Sequence, residues 1–262
     1  MRPLRIAVCV KPVPDPKQSN TLKIDPATKT LVRTGIPLVI NPLDKNALEA
    51  AIKLKAGGGT VSVFSMAPPT AESTLTETLA MGADEAFLLS DRAFAGGDTL
   101  ATARVLVAGI QKQDPYDLIL CGAESFDGGT AQVGPQIAVL LGLPWVTRVF
   151  QLSRSNDEQL AAAIEDEHVI RELLVEMPLV ITVEASLNQP RRISLMGVVA
   201  ARKKTITVYN AADLGVDPAE VGLGGSPTQT WDYFSPSSDK KVEMWQGSSQ
   251  ELARELIQKL GL

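Results

Sequence analysis

Short apolar runs alternate with stretches of helical periodicity along the first half of the chain. Arg5–Val10 (RIAVCV), Thr60–Ala67 (TVSVFSMA), Glu85–Leu89 and Leu118–Gly122 (LILCG) are continuous apolar runs, the pattern of strands buried on both faces. Between them, Leu43–Ala56, Thr70–Met81 and Thr99–Gln113 place apolar residues at helical spacing, as at Leu48, Ala51 and Ile52. Strands alternating with helices predict an α/β domain with a mainly parallel sheet and crossover helices. A further unit runs from Leu118 through the glycine-rich Asp127–Pro135 into a helix ending near Leu141, where Gly142 and Pro144 are stop signals.

From Val146 to Val183 the pattern changes to that of a β meander, with strands at Val146–Leu152, Leu160–Ile164, Val169–Val175 and Leu179–Val183. Beyond Asp213 the chain turns rich in Gly, Ser, Pro and Thr, above all over Gly222–Pro236, and closes with the helical SSQELARELIQKL at Ser248–Leu260. The organisation expected is a nucleotide-binding α/β domain over 1–215, with the meander at about 146–183, followed by an extended C-terminal arm over 216–262. Such an arm has little of its own to bury, so it is expected to lie on a partner.

Composition narrows the function. The 262 residues include 25 Lys and Arg against 30 Asp and Glu, a net charge of −5, which gives no general attraction for nucleic acid. No run approaches the roughly 18 apolar residues of a membrane span, and a cytoplasmic protein is expected. Cys9 and Cys121 each end a buried strand, without the spacing of a disulfide framework or metal site. His168, the one histidine, falls in the meander, far in sequence from the glycine loop, and is expected at the surface.

Ligands of open α/β sheets sit outside the carboxyl ends of the strands. Three loops belong there: Cys9–Pro14, Asn41–Asp44 and the glycine loop. Asn41-Pro42 reads as a helix start, with Asn as cap and Pro at the first helical position. In the glycine loop, Gly128 and Gly129 allow close backbone approach. Thr130–Val133 would present free N–H groups at a helix N-terminus, and Thr130 and Gln132 add side-chain donors. There is neither a Walker lysine nor a GxGxxG, so on these residues alone the loop is a phosphate site or a plain glycine turn. A stand-alone ATP-binding protein of related fold is the rival class, but Lys11-Pro-Val-Pro14 after the first strand removes donors that an adenylating loop would supply.

Four separated motifs, in order, resemble the beta subunit of electron transfer flavoproteins. They are CVKPVPD followed by KIDP, GIPLVINPLDKNALEAA at Gly35–Ala51, DGGTAQVGPQIA at Asp127–Ala138, and LNQPR with VVAARKK within Leu187–Lys204. The resemblance covers nearly the whole chain. It implies an adenine nucleotide alpha hydrolase-like fold and a β ribbon crossing to a partner. It also implies an adenine nucleotide held by Cys9, Asn41, Pro42, Leu43, Asp44, Met66, Gly122 and the run Asp127, Gly128, Gly129, Thr130, Ala131, Gln132, Val133 and Gly134.

In carrier members of that family the nucleotide is AMP and the redox FAD belongs to the alpha subunit. In electron-bifurcating members the beta site holds a second FAD that takes electrons from NADH. Bifurcating loops look like DGDTAQVGP, which Asp127–Pro135 matches except at Gly129, so the resemblance favours FAD here. Other departures are Glu165–His168 in place of an Asp-Gly-Gly turn, and Arg192 where a tyrosine is usual. The stretch at about 187–201 resembles the loop that docks on acyl-CoA dehydrogenases or other flavin dehydrogenases, with Leu195 as anchor and Arg191 and Arg192 as its rim. Partners implied are the alpha subunit, such a dehydrogenase, and a ferredoxin or quinone reductase. The chemistry would belong to flavin, with no side chain acting as acid, base, nucleophile or metal ligand.

Overall fold

The computed structural model describes residues 2–21, 23–25, 30–32, 37–55, 58–113, 115–167, 169–229, 231 and 242–261, with backbone only for those of 19–32. His168, Pro26, Gly35, Ile36, Ala56 and most of 230–241 lie outside the described residues. The chain divides into two compact units, Met1–Thr230 and Trp231–Leu262.

In the first unit the strands are β1 (Arg5–Cys9), β2 (Pro12–Pro14), β3 (Lys23–Asp25), β4 (Thr30–Val32), β5 (Leu38–Ile40), β6 (Thr60–Met66), β7 (Glu85–Leu89), β8 (Leu118–Gly122), β9 (Trp145–Arg154), β10 (Gln159–Asp166), β11 (Val169–Glu176), β12 (Leu179–Val183) and β13 (Ile206–Tyr209). Its helices are α1 (Pro42–Leu54), α2 (Glu72–Met81), α3 (Thr99–Gln111), α4 (Val133–Leu141), α5 (Leu195–Ala201) and α6 (Ala211–Leu214). A nine-stranded sheet runs in the order β11-β10-β9-β12-β8-β1-β6-β7-β13, and two small antiparallel ribbons pair β2 with β5 and β3 with β4. From β9 to β13 through the centre all neighbours are parallel. The expected α/β class with a mainly parallel sheet is the one observed.

Each central strand contributes alternate residues to two cores. Ile6, Val8, Leu118, Leu120, Leu179 and Ile181 face a layer containing Leu48 and Ile52 of α1 and Leu75 and Leu79 of α2. Ala7, Cys9, Phe64, Ile119 and Cys121 face Leu106 and Ile110 of α3 and Ile137 of α4. Burial on both faces is why these strands read as unbroken apolar runs. On the second face Phe64 stacks on Phe87, with ring centroids 4.9 Å apart, and Phe87 on Tyr209 at 6.0 Å.

The meander holds only in part. β9, β10 and β11 form antiparallel hairpins, but β12 inserts between β9 and β8, parallel to both. Its five residues, LVITV, are all buried. A strand without a polar face has no place at the margin of a ribbon and goes to the centre of the sheet. β11 is instead exposed along most of its length.

Residues 216–229 run over the first unit. Val221 is buried, and Thr228 donates its N–H and its hydroxyl to Asp98. The second unit contains α7 (Ser249–Leu260), which opens with a capping box between Ser248 and Glu251. Lys259, near its end, pairs with Glu243 and lies over the Trp245 ring. The acidic start and basic end suit the helix dipole, and Leu256, Ile257 and Leu260 are exposed.

Leu120 is fully buried in the central strand β8. Leu120→Ala should lower unfolding free energy by about 2–5 kcal/mol, measured by chemical denaturation.

Candidate functional site

The sheet changes direction of growth between β1 and β8. From β1 the chain proceeds to β6 and β7 on one side, and α3 then returns it to β8 on the other. Crossover connections diverge at such a point, leaving a crevice outside the carboxyl ends of the two strands. A cleft of about 580 Å³ opens there, with Cys9 and Cys121 on its floor. Its size lies within the range of roughly 300–1,000 Å³ typical of cofactor sites.

The first turn of α1 organises the floor. Asp44 is buried, and its two carboxylate oxygens accept the N–H of Lys11, at 2.8 Å, and the N–H of Gly122, at 2.9 Å. It therefore joins the exits of β1 and β8. Asn41 occupies the N-cap position of α1 but makes no side-chain capping bond. Its amide instead donates to the carbonyl of Glu124 at 2.9 Å and accepts the N–H of Phe126 at 3.0 Å. The capping role expected from Asn41-Pro42 is thus corrected: the side chain is spent on the loop after β8, whose backbone groups have no ladder partner.

Burial pushes the Asp44 carboxyl up to about 6 from an ordinary 3.8, against the opposing pull of the Lys11 and Gly122 N–H groups, the Asn41 amide and the Lys11 charge. Its ionised form is consequently an expense to the fold. The contribution of Asp44 to stability is complete below about pH 4 and is lost as pH rises through 6. Burial, followed by the Asp44 charge, also lifts Cys9 to about 12, and Cys121 is raised well above its usual value by burial, Cys9 and Asp44. Both are free thiols without nucleophilic character at neutral pH.

Lys11 is the only cation among the described residues lining the cleft. Its ammonium donates to Asp127 at 2.5 Å and to Ser125 at 3.2 Å, drawing the glycine loop toward β1. The acids of the opposite wall are committed to backbone groups. Asp91 accepts from Ala93 and Ala211, and Asp98 caps α3 through Ala101 while also holding Thr228. Three helices, α1, α3 and α4, begin at the cleft; Asp98 caps α3, α1 opens on a proline with Asn41 spent on the loop, and Gln132 provides no side-chain cap for α4. The first N–H groups of an uncapped helix lack intrahelical acceptors and carry the positive end of its dipole. The start of α4 therefore has free donors that suit an anionic group.

The glycines divide by role. A Cβ at Gly134 would stand 2.4 Å from Thr182 Cγ2 and 3.0 Å from Cys121 Sγ, and one at Gly122 would stand 2.6 Å from both Asp44 Oδ1 and Leu43 Cβ. Those two permit the close seating of α4 and α1 on the sheet. Gly129 adopts a left-handed φ of +58° with open space around it. Ala131 adopts φ +55° despite its Cβ, a strained conformation of the kind found in ligand loops. Thr99 bridges the mouth, donating to Gln132 and accepting from Gln136.

Of the residues singled out from sequence, Cys9, Asn41, Asp44, Met66, Gly122, Gly128, Thr130, Ala131, Gln132, Val133 and Gly134 line this one cleft. Pro42 and Leu43 lie in the adjoining turn of α1, Asp127 turns to Lys11, and Gly129 lies off the lining. Sequence reasoning missed the wall after β7, including Asp91, Phe94, Asp98, Thr99 and Leu106. Its signal was a second glycine-rich link from strand to helix, Gly96-Gly97-Asp98-Thr99.

Leu195 is 79% exposed and stands beside exposed Met196, Val199 and Arg192. Arg191 is held by buried Glu49, with Nε 2.7 Å from the carboxylate, so its charge is already paired. Among the described residues no group of side chains could hold a metal ion, and no helix is long and apolar enough to cross a membrane.

An uncapped helix start, an apolar wall of Met66, Leu89 and Leu106, and Thr130 at the mouth fit a phosphate-bearing, ring-containing ligand. The comparison with known proteins agrees with that class: the pattern of the electron transfer flavoprotein domain matches residues 28–214. The chain belongs to the electron transfer flavoprotein family, among its beta subunits. It is 46% identical to the electron transfer flavoprotein subunit beta of Thermoanaerobacterium thermosaccharolyticum over 98% of both chains. It is also 45% identical to subunit CarD of the caffeyl-CoA reductase-Etf complex of Acetobacterium woodii, again over 98% of both. The acryloyl-CoA reductase electron transfer subunit gamma of Anaerotignum propionicum is 39% identical over the same share of each chain.

Gly134→Ala should cost about 1–3 kcal/mol through overpacking. Gly128→Ala, whose Cβ meets only Ser125 Oγ at 3.0 Å and Lys11 Nζ at 3.7 Å, should stay within about 0.5 kcal/mol. Urea midpoints of the two variants check the contrast.

Proposed function

We propose that this chain is the nucleotide-holding subunit of a heterodimeric electron transfer flavoprotein, that its cleft takes FAD, and that electrons pass from NADH through it to a second FAD in the alpha subunit. The observation that carries the reading is the cleft at the exits of β1 and β8, with the start of α4 left uncapped beside the Asp127–Pro135 loop. The loop sequence favours FAD over AMP. At Gly129 the left-handed backbone suits glycine, asparagine or aspartate, so the exchange of aspartate for glycine removes a carboxylate while leaving the turn possible.

Bound flavin would supply the acceptance and release of electrons. The protein's part is to seat the pyrophosphate on the N–H groups of Val133 and Gly134, to enclose the rings between Met66, Leu89 and Leu106, and to fix the loop through Lys11 and Asn41. Relatives named as parts of caffeyl-CoA and acryloyl-CoA reductase systems support a flavin dehydrogenase as partner. The exposed Leu195 and Met196 are its docking point, with Arg192 on the rim. A ferredoxin or quinone reductase is the further acceptor in the bifurcating form. The C-terminal arm, with its apolar face of Leu256, Ile257 and Leu260, clasps the alpha subunit. The complex works in the cytoplasm.

The heterodimer purified with its alpha subunit should release two FAD and no AMP on denaturation, and NADH should bleach its flavin absorbance. One FAD with one AMP, and no bleaching, would establish the carrier type instead.

A further inference from the structure

Parallel strands that diverge at their carboxyl ends leave backbone donors without acceptors. At the cleft floor one side chain answers for both strands. Asp44 Oδ2 accepts the N–H of Lys11, the second residue beyond β1, and Asp44 Oδ1 accepts the N–H of Gly122, the last of β8. The fit is close enough that no side chain is accommodated at position 122. The same two segments carry the ligand groups: Lys11 holds the glycine loop through Asp127 and Ser125, and Gly122 begins that loop.

Protonation of Asp44 would set an O–H among donors. A carboxylic acid there gives up one acceptor position and the charge that strengthens both bonds, so its hold on the two N–H groups weakens. The groups that face Asp44 are Cys9 and Lys11 from β1 and its exit and Cys121 from β8. The nearby charged groups of its own helix are engaged elsewhere, Lys45 with Glu77 and Glu49 with Arg191. Neither thiol ionises near neutrality, so in this cluster the proton on Asp44 is the one that changes.

Resting on the reading of the cleft as a nucleotide site, we propose that Asp44 is its positioning residue: the ionised carboxylate holds the exits of β1 and β8 in binding geometry, so that nucleotide affinity follows the charge of Asp44 and falls on acidification. The elevated proton affinity imposed by burial puts this change near pH 6.

The test is a titration of the full chain, co-expressed with its alpha subunit and stripped of nucleotide, with FAD and with AMP between pH 7.5 and pH 5. FAD is the main probe because its pyrophosphate does not titrate in that window, whereas the AMP phosphate does, near pH 6. With a competent fraction of about one tenth at pH 5, FAD affinity at this site should fall about tenfold. In Asp44→Asn, whose NH₂ opposes one of the two N–H groups, FAD should bind about tenfold more weakly at pH 7.5 and lose nothing further at pH 5. Asn41→Ala, which frees the loop, keeps the carboxylate and removes an amide that holds its proton affinity down, should weaken binding and move the midpoint to higher pH. If Asp44→Asn does not fold, the wild-type and Asn41→Ala profiles decide. A pH-independent FAD affinity in the wild type, or the same slope in Asp44→Asn, overturns the proposal. Binding of neither nucleotide at pH 7.5 overturns the nucleotide reading itself.

Discussion

The constraint on which the site depends is the satisfaction of backbone groups where β1 and β8 part. A parallel sheet pairs its own N–H and carbonyl groups only while strands stay side by side, and ligands enter where they separate. Here the amino end of α1 supplies the missing partners, Asp44 to the two N–H groups and Asn41 to the loop at 124–126. The arrangement takes a buried carboxylate away from water, and such a burial is offset only when both oxygens are used. The loop in turn leads into α4, whose uncapped start lines the cleft.

α1 has a second set of attachments further along. Asn46 donates to carbonyls of Ala185 and Asn188, and Asn188 donates back to the carbonyl of Asn46. Glu49, one turn later, binds Arg191 through both its N–H and its guanidinium. One helix thus anchors the cleft floor at its start and the approach to the exposed Leu195 region at its middle. These contacts explain buried polar residues on a helix whose other inward positions are Ala47, Leu48, Ala50, Ala51 and Ile52.

The parallel core was legible because its strands are apolar on both faces, and α1, α2 and α3 because their apolar residues recur at helical spacing, whereas the short α5 and α6 carry no such pattern. The glycine loop and Asn41–Asp44 were legible as strand-to-helix links, and the cleft collects them. What sequence could not show was the use of each side chain. Asn41 reads as a cap by residue type, yet nothing local reveals that a loop 83 residues away, at Glu124, needs its amide more. Arg191 reads as a free rim charge because Glu49 is distant in sequence. β12 reads as the last strand of a meander because order along the chain is visible and order in the sheet is not. β13, a four-residue strand with no fully buried residue, lacks the apolar run that marks the others.

The outer edge of the sheet has a consequence for the life of the subunit. β11 closes the nine-stranded sheet on one side, with Val169, Ile170 and Leu174 more than half exposed. An edge of that length and apolarity is a template for pairing with any other extended chain. A subunit made in excess of whatever covers this edge is exposed to aggregation and to quality-control proteolysis. Any chain that pairs with β11 would remove that hazard, independent of any demand made by electron transfer.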